Sequence, residues 1–297
     1  MNVMIVGSNQ STKRRSDIYG LIDDVKTHAL VVPEDRGSIS DFVRFDHAVT
    51  RENIDVVDVA VAGNHCHTWV DKALHAGIRS VLCTNPFGLD EVDLGAIVHA
   101  CRDRRANVLF RNILARPYME LRDRFGSQLL IPGIFRLWRR CPIPADDSRR
   151  SDAVKGKERR LLYHDVEFLT WTVGSVQRVY ARRTRGHGHQ SHLTVSLRFT
   201  NGMIGHLLHS FQGISMSSVD IEVCSATRTM TVSLTDRDTE QESQDRLIEE
   251  YQTLIDHLRT DTPSDFGVSE LQRQLTTLSA IDQSLETRSP VSLDEER

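Results

Sequence analysis

The sequence predicts an α/β protein in two parts: a parallel sheet built from βαβ units, followed by an α+β half whose strands run mainly antiparallel. Three observations carry this prediction. Short apolar runs recur at about 25-residue spacing through the first third of the chain, with helical stretches between them. Those runs are rich in Val, Ile and Leu on both faces, as suits strands buried between helices. Further along, strand follows strand, and Asn201-Gly202 between two of them is a strong hairpin turn.

Taken in order, Asn2–Val6 is the first strand and ends at Gly7. His28–Val32 is the second, closed by Pro33-Glu34-Asp35. Asp55–Ala62 is the third, followed by a helix over His67–Ala76. Arg79–Cys83 is the fourth, with Leu89–Arg105 as its helix, and Asn107–Phe110 is the fifth. Pro117–Phe125 reads as helical and Gly133–Arg140 as a strand leaving the first domain. Residues 142–160 are polar, charged and Pro-bearing, and read as a long exposed loop. His164–Val173 reads as a helix. It is followed by strands at Val176–Arg183, His192–Phe199, Met203–Ser210, Ile221–Ser225 and Thr229–Leu234. Two helices, over 240–259 and 266–286, close the chain. The domains are placed at 1–115 and 116–297, with the closing helices free to pack back on the first.

Composition narrows the function classes. The chain has 297 residues, 39% hydrophobic and 26% charged, enough for a sizeable core in one large or two medium domains. With 37 basic and 41 acidic residues the net charge is −4, so no basic excess points to nucleic acid. The opening MNVMIVGS lacks the apolar core of a signal peptide, and no apolar run is long enough to span a membrane. The five cysteines, Cys66, Cys83, Cys101, Cys141 and Cys224, are scattered without a CxxC pair, which fits reduced thiols and a cytoplasmic protein.

Five landmarks then occur in a fixed order. VAGNHCH (Val61–His67) leads into ALHAGIRSV (Ala73–Val81), and Thr84-Asn85-Pro86 follows the fourth strand. HDVEFLTWTVG covers His164–Gly174, RFTNGMIGHLLHSF covers Arg198–Phe211, and SAIDQSLETRSPV covers Ser279–Val291. In this order the chain resembles the Gfo/Idh/MocA family of NAD(P)-dependent oxidoreductases over almost its whole length. The resemblance implies a Rossmann-type parallel sheet followed by a domain with a large open, mainly antiparallel sheet. It implies NAD or NADP as cofactor, a sugar, cyclitol or other small carbonyl or imine metabolite as substrate, and a homodimer or homotetramer formed through the open sheet.

The same resemblance assigns residues. For the cofactor it implies the turn Gly7, Ser8, Asn9, Gln10 and Ser11, with Thr12 and Lys13 as further donors, and Asp35, beside Glu34, for the ribose hydroxyls. It adds Ala62, Gly63, Asn64 and His67 after the third strand, and Thr84 and Pro86 after the fourth. It implies His164 as the acid–base group, with Glu167 one turn along the same helix face and Asn85 beside them. Arg160, Tyr163, His187 and His189 would meet the substrate.

Three positions depart from the family pattern. The loop from Gly7 holds one glycine where a dinucleotide fingerprint has three. Asn85 replaces the family's Lys, and an amide orients or hydrogen-bonds but does not titrate. Arg160 replaces a carboxylate four residues before His164, and a cation there suits a carboxylate or phosphate on the ligand. These departures motivate a second reading, a non-redox descendant that binds a metabolite, catalyses a lyase, isomerase or condensation step, or supports an active subunit. A structural or regulatory oligomer is the third. The HxH spacings at His65/His67 and His187/His189 lack further ligands at a recognisable spacing, so no metal is expected. Neither a GxSxG elbow, a P-loop nor an HExxH helix is present.

Overall fold

The computed structural model describes residues 1–31, 39–61, 66–83, 95, 97–101, 106–110, 121, 133–142, 151–186, 190–212, 214, 216–225, 228–235, 244–260 and 267–293. The chain divides into two compact units, Met1–Ile113 with Ser243–Gln272, and Leu114–Glu242 with Arg273–Arg297.

The first unit is a five-stranded parallel sheet in the order β2-β1-β3-β4-β5. Its strands are β1 (Asn2–Gly7), β2 (Lys26–Val31), β3 (Val56–Ala60), β4 (Ser80–Cys83) and β5 (Asn107–Phe110). Helices α1 (Asn9–Tyr19), α2 (Ile39–Glu52) and α3 (Cys66–His75) connect them, and α5 (Gln244–Thr260) joins from far along the chain. Val3, Met4, Ile5 and Val6 are all buried, as a strand covered on both faces requires. Leu247, Tyr251, Leu254, Ile255 and Leu258 of α5 repeat at helical spacing and enter the same core as β1 and α1. Residues 39–52 have no assignment from the sequence; as α2 they bury Phe45, whose ring lies 5.8 Å from that of Trp69 on α3. Asp46 and Lys72 pair beside it at 2.6 Å.

The second unit is a seven-stranded mixed sheet in the order β11-β10-β6-β9-β8-β7-β12. It comprises β6 (Gly133–Pro142), β7 (Val176–Arg185), β8 (Ser191–Phe199), β9 (Ile204–Gln212), β10 (Ser218–Ser225), β11 (Thr229–Thr235) and the short β12 (Val291–Ser292). Neighbours are antiparallel except β6 and β9, which run parallel. Period-2 alternation splits β6 cleanly. Phe135, Leu137, Arg139 and Cys141 are buried, while Ile134, Arg136 and Trp138 point to the open face. Helix α4 (Ser151–Val173) covers the buried face, with Phe168 6.1 Å from Phe135 ring to ring. Helix α6 (Val268–Thr287) adds Ser284, whose hydroxyl accepts from the Ala181 amide at 2.9 Å. At Asn201-Gly202 the glycine takes φ +88°, and the Asn201 amide donates to Val173 O at 2.7 Å, tying the hairpin to the end of α4.

One expectation is overturned. Residues 151–160 are not an exposed loop but the first turns of α4. Their polarity hid the helix, since it leaves no apolar stripe. The stretch is nevertheless rich in helix formers, Ala153, Lys155, Lys157, Glu158, Arg159 and Arg160. Its charges are placed by neighbours instead: Glu158 accepts from Arg183 at 2.7 Å and Arg159 donates to Asp282 at 2.7 Å.

Candidate functional site

In the first unit the strand order reverses between β1 and β3, and ligands of open parallel sheets bind outside the carboxyl ends of the strands at such a point. Gly7 ends β1 there. A Cβ on Gly7 would stand 2.8 Å from the Ala60 Cβ at the end of β3, so contact between the strands themselves demands this glycine. Ser8 caps α1, its hydroxyl accepting from the Ser11 amide at 3.3 Å and lying 3.0 Å from the Ser11 hydroxyl. Asn9 and Gln10 are exposed, and amides of a helix's first turn have no acceptor within the helix. Asn9 and Thr12 stand where the fingerprint's second and third glycines would be. Thr12 is buried, and its hydroxyl donates inward to Ser8 O and Asn9 O at 3.0 and 3.1 Å, so it is not a ligand donor. Lys13 is exposed. The remaining donors suit a pyrophosphate at the start of α1.

Beneath this turn lies a polar cluster that sequence reading missed. Arg15 on α1 donates to Asp58 Oδ1 in the middle of β3, and the Tyr19 hydroxyl donates to Asp58 Oδ2 at 3.0 Å. Asp58 has no exposed surface and Arg15 is 8% exposed. Burial raises the Asp58 carboxyl, against the opposing pull of Arg15 and Tyr19. The signal was available: an Asp inside a run as apolar as DVVDVAVA needs a cationic partner.

In the second unit, α4 carries the predicted residues. His164 is half-buried on α4, Arg160 is exposed one turn earlier, and Glu167 is buried one turn later. Tyr163 is buried and donates to Gln274 Oε1 on α6 at 2.9 Å. Next to His164, Asp165 is fully buried and receives Arg139 through both Nε, at 2.8 Å, and a second guanidinium nitrogen. His209 Nε2 meets the same carboxylate at 2.7 Å. Arg139 and His209 are cross-strand partners on β6 and β9, so one carboxylate bridges two strands. Loss of water pushes the His164 imidazole down to about 4; Arg139 and Arg160 add to this and Asp165 opposes it. The ring is therefore neutral at pH 7. Arg139 also holds the Asp165 carboxyl well below the usual carboxylate range, against its burial.

His67 is the second residue of α3, its Nε2 3.2 Å from the Thr68 hydroxyl. Asp35, Ala62, Gly63, Asn64, Thr84, Asn85, Pro86, His187 and His189, like Glu34 and His65, lie outside the described residues. Among the described residues no cluster of His, Cys, Asp and Glu is arranged to hold a metal.

No family model and no curated protein matches the sequence. Solved structures do match. A probable dehydrogenase from Thermotoga maritima superposes with a TM-score of 0.78 at 18% identity, over 98% of this chain and 99% of that one. GenD2 from gentamicin A biosynthesis, in complex with NAD, gives 0.76 at 17% identity, over 99% and 97%. Scyllo-inositol dehydrogenase from Lactobacillus casei, with bound NAD(H) and scyllo-inositol, gives 0.71 at 12% identity, over 98% of each. The fold is that of the Gfo/Idh/MocA-type dehydrogenases. Within the dehydrogenase fold, the parallel sheet is the Rossmann-type unit and the seven-stranded sheet is the open one. The expected fold class is thus observed. Among the described residues, no helix is long and apolar enough to cross a membrane.

Proposed function

We propose that the protein is a dehydrogenase using NAD(H) or NADP(H) on a small hydroxylated metabolite, such as a sugar or cyclitol, or on its carbonyl or imine counterpart. The observation that carries this is His164, a half-buried and neutral imidazole on α4, in a chain that shares its fold with dehydrogenases along its whole length. Fold alone would not suffice, since one fold hosts many chemistries. The nucleotide would sit at the start of α1, on Ser8, Asn9, Gln10 and Ser11, with Asp35 on a ribose, and Ala62, Gly63, Asn64, His67, Thr84 and Pro86 along the ends of β3 and β4. When bound, NAD(P) supplies the hydride acceptor or donor.

This chain's residues must then manage the proton. Neutral His164 accepts the hydrogen bond of the substrate hydroxyl and takes its proton as that carbon gives up hydride; in reverse it returns the proton to the forming alkoxide. Asn85 is assigned as a polar orienter, since an amide hydrogen-bonds without titrating. Arg160, one turn before His164, favours a substrate bearing a carboxylate or phosphate, and Glu167, one turn after it, is assigned to orient the imidazole. Tyr163, whose hydroxyl donates to Gln274, is assigned to the substrate side. His187 and His189 are assigned to the substrate side.

Titration of the full chain with NADH and with NADPH, followed by nicotinamide fluorescence, tests this reading. Saturable binding of either below millimolar concentration is expected. Absence of binding at millimolar cofactor would overturn it and leave the non-redox reading, metabolite binding or a lyase, isomerase or condensation step.

The open face of the second sheet supports a further part of the proposal, a homodimer or homotetramer. Trp138 and Ile204 are 43% and 44% exposed on that face, beside Ile134, and an apolar sheet face needs a cover. Light scattering at micromolar concentration should give two or four chains, and Trp138→Glu should give fewer; a monomeric parent protein would refute the assignment. The cytoplasmic reading rests on the five cysteines, which are scattered without a CxxC pair.

A further inference from the structure

We propose that Arg139 is a positioning residue for His164: together with His209 it holds Asp165 against β6 and β9, and so fixes both the turn of α4 from which His164 projects and the opposed charges beside it. The inference rests on the reading of His164 as the acid–base group. Its basis is geometric. Arg139 grips Asp165 through two nitrogens and His209 approaches the same carboxylate at 2.7 Å. All three are nearly buried, at 8%, 0% and 1% exposure. The carboxylate is therefore located by three elements at once, β6, β9 and α4, and its chain neighbour is His164.

Stability alone does not account for these charges. On β6 and β9 the same buried face carries Phe135, Leu137, Leu207 and Phe211, so the charged groups stand among apolar neighbours. A buried ion pair is in general no more stabilising than a well-packed apolar replacement. What the ion pair does supply is a fixed field beside the imidazole. The charged groups that act on His164 among the described residues are Arg139 from β6, and Asp165 and Arg160 from its own helix. Arg139 favours the neutral ring and Asp165 the protonated one, so the two partners push in opposite directions.

That opposition provides the test. In the full chain labelled with ¹³C at histidine Cε1, the His164 resonance is assigned through His164→Gln and titrated by NMR in the parent, Arg139→Met and Asp165→Asn. Arg139→Met removes the cation and leaves the anion, so the His164 midpoint should rise by at least one pH unit, about tenfold in proton affinity. Asp165→Asn removes the anion and leaves the cation, so its midpoint should stay at or below that of the parent. If the three groups only tie the strands together and set no charges at His164, the outcome differs: both variants admit water and move His164 upward together. That outcome, or an unmoved midpoint in Arg139→Met, overturns the proposal. If Arg139→Met does not fold, Asp165→Asn, which is nearly isosteric, decides alone, because a rise contradicts the proposal. The titration needs neither cofactor nor turnover. The expected pattern without NADH or NADPH binding would sink the dehydrogenase reading and keep the role of Arg139. Upward shifts in both variants with cofactor bound normally would sink that role alone.

Discussion

Asp58→Ala is expected to destabilise the first unit by about 3–5 kcal/mol, the loss typical of removing one partner from a buried ion pair. Asp58 is fully buried in the centre of β3, and Arg15 reaches it from α1. Without the carboxylate, the Arg15 guanidinium has lost its counter-charge inside a core formed by β1, β3, α1 and α5. The Tyr19 hydroxyl loses its acceptor at the same moment, and its ring is held edge-on by Tyr251 at 5.1 Å, which leaves little room to turn away. Solvating Arg15 would require α1 to lift from the sheet. The double change Arg15→Met with Asp58→Leu should recover most of the loss, because it removes both charges and keeps the volume filled. Urea unfolding monitored by circular dichroism measures the difference. A loss below about 1 kcal/mol in Asp58→Ala would show that the pair is solvated and contributes no more than a surface bridge. Since α1 begins at the candidate nucleotide turn, Asp58→Ala should also weaken NADH binding, and the double variant should restore it.

The parts of this protein that the sequence made legible are those whose residue pattern repeats. The parallel strands show as apolar runs because both faces are covered. The α4 segment from His164 to Val173 shows because apolar Val166, Leu169 and Val173 recur at helical spacing. Two kinds of feature stayed hidden. The sequence of the first turns of α4 carries no apolar repeat, and periodicity cannot distinguish such a helix from a loop; Glu158 and Arg159 there pair with Arg183 and Asp282. The buried charges were overlooked for the opposite reason: single residues inside otherwise apolar patterns. In GIFRLWRRC the alternation that buries Phe135, Leu137 and Cys141 must also bury Arg139. In HLLHSF the face that takes Leu207 and Phe211 must take His209. Each implies a buried acceptor, and Asp165, adjacent to His164, is the acceptor for both. Which carboxylate serves them depends on the non-local register of β6 with β9, and no local pattern encodes that pairing.

His164→Ala should lower turnover by about 10²–10⁴-fold, the range for loss of one general acid or base, once a substrate is in hand. NADH affinity should change little, because the cofactor contacts proposed here lie in the first unit. The pH dependence distinguishes a specific role from general damage. The imidazole is lowered from its usual value near 6.5 to about 4, and the neutral ring is the active form in the oxidation direction. The parent rate should therefore stay level from pH 8 down to about 5 and bend only as the pH nears that of the folded ring. An exposed histidine would instead produce a limb centred near 6.5, and finding that limb would remove the basis for assigning the proton to a buried, field-tuned ring. The same shift has a stability consequence. The folded ring binds its proton less readily than the unfolded one, so its contribution is fully present above about pH 6.5 and is lost as the pH falls toward 4. The full difference sets an upper bound of about 3 kcal/mol. Urea midpoints of the parent should thus fall between pH 7 and pH 5 by more than those of His164→Gln, which has no proton to take up. If the two proteins lost stability in parallel, the imidazole would be titrating as it does in water, and neither the level rate profile nor the protein field invoked to explain it would survive.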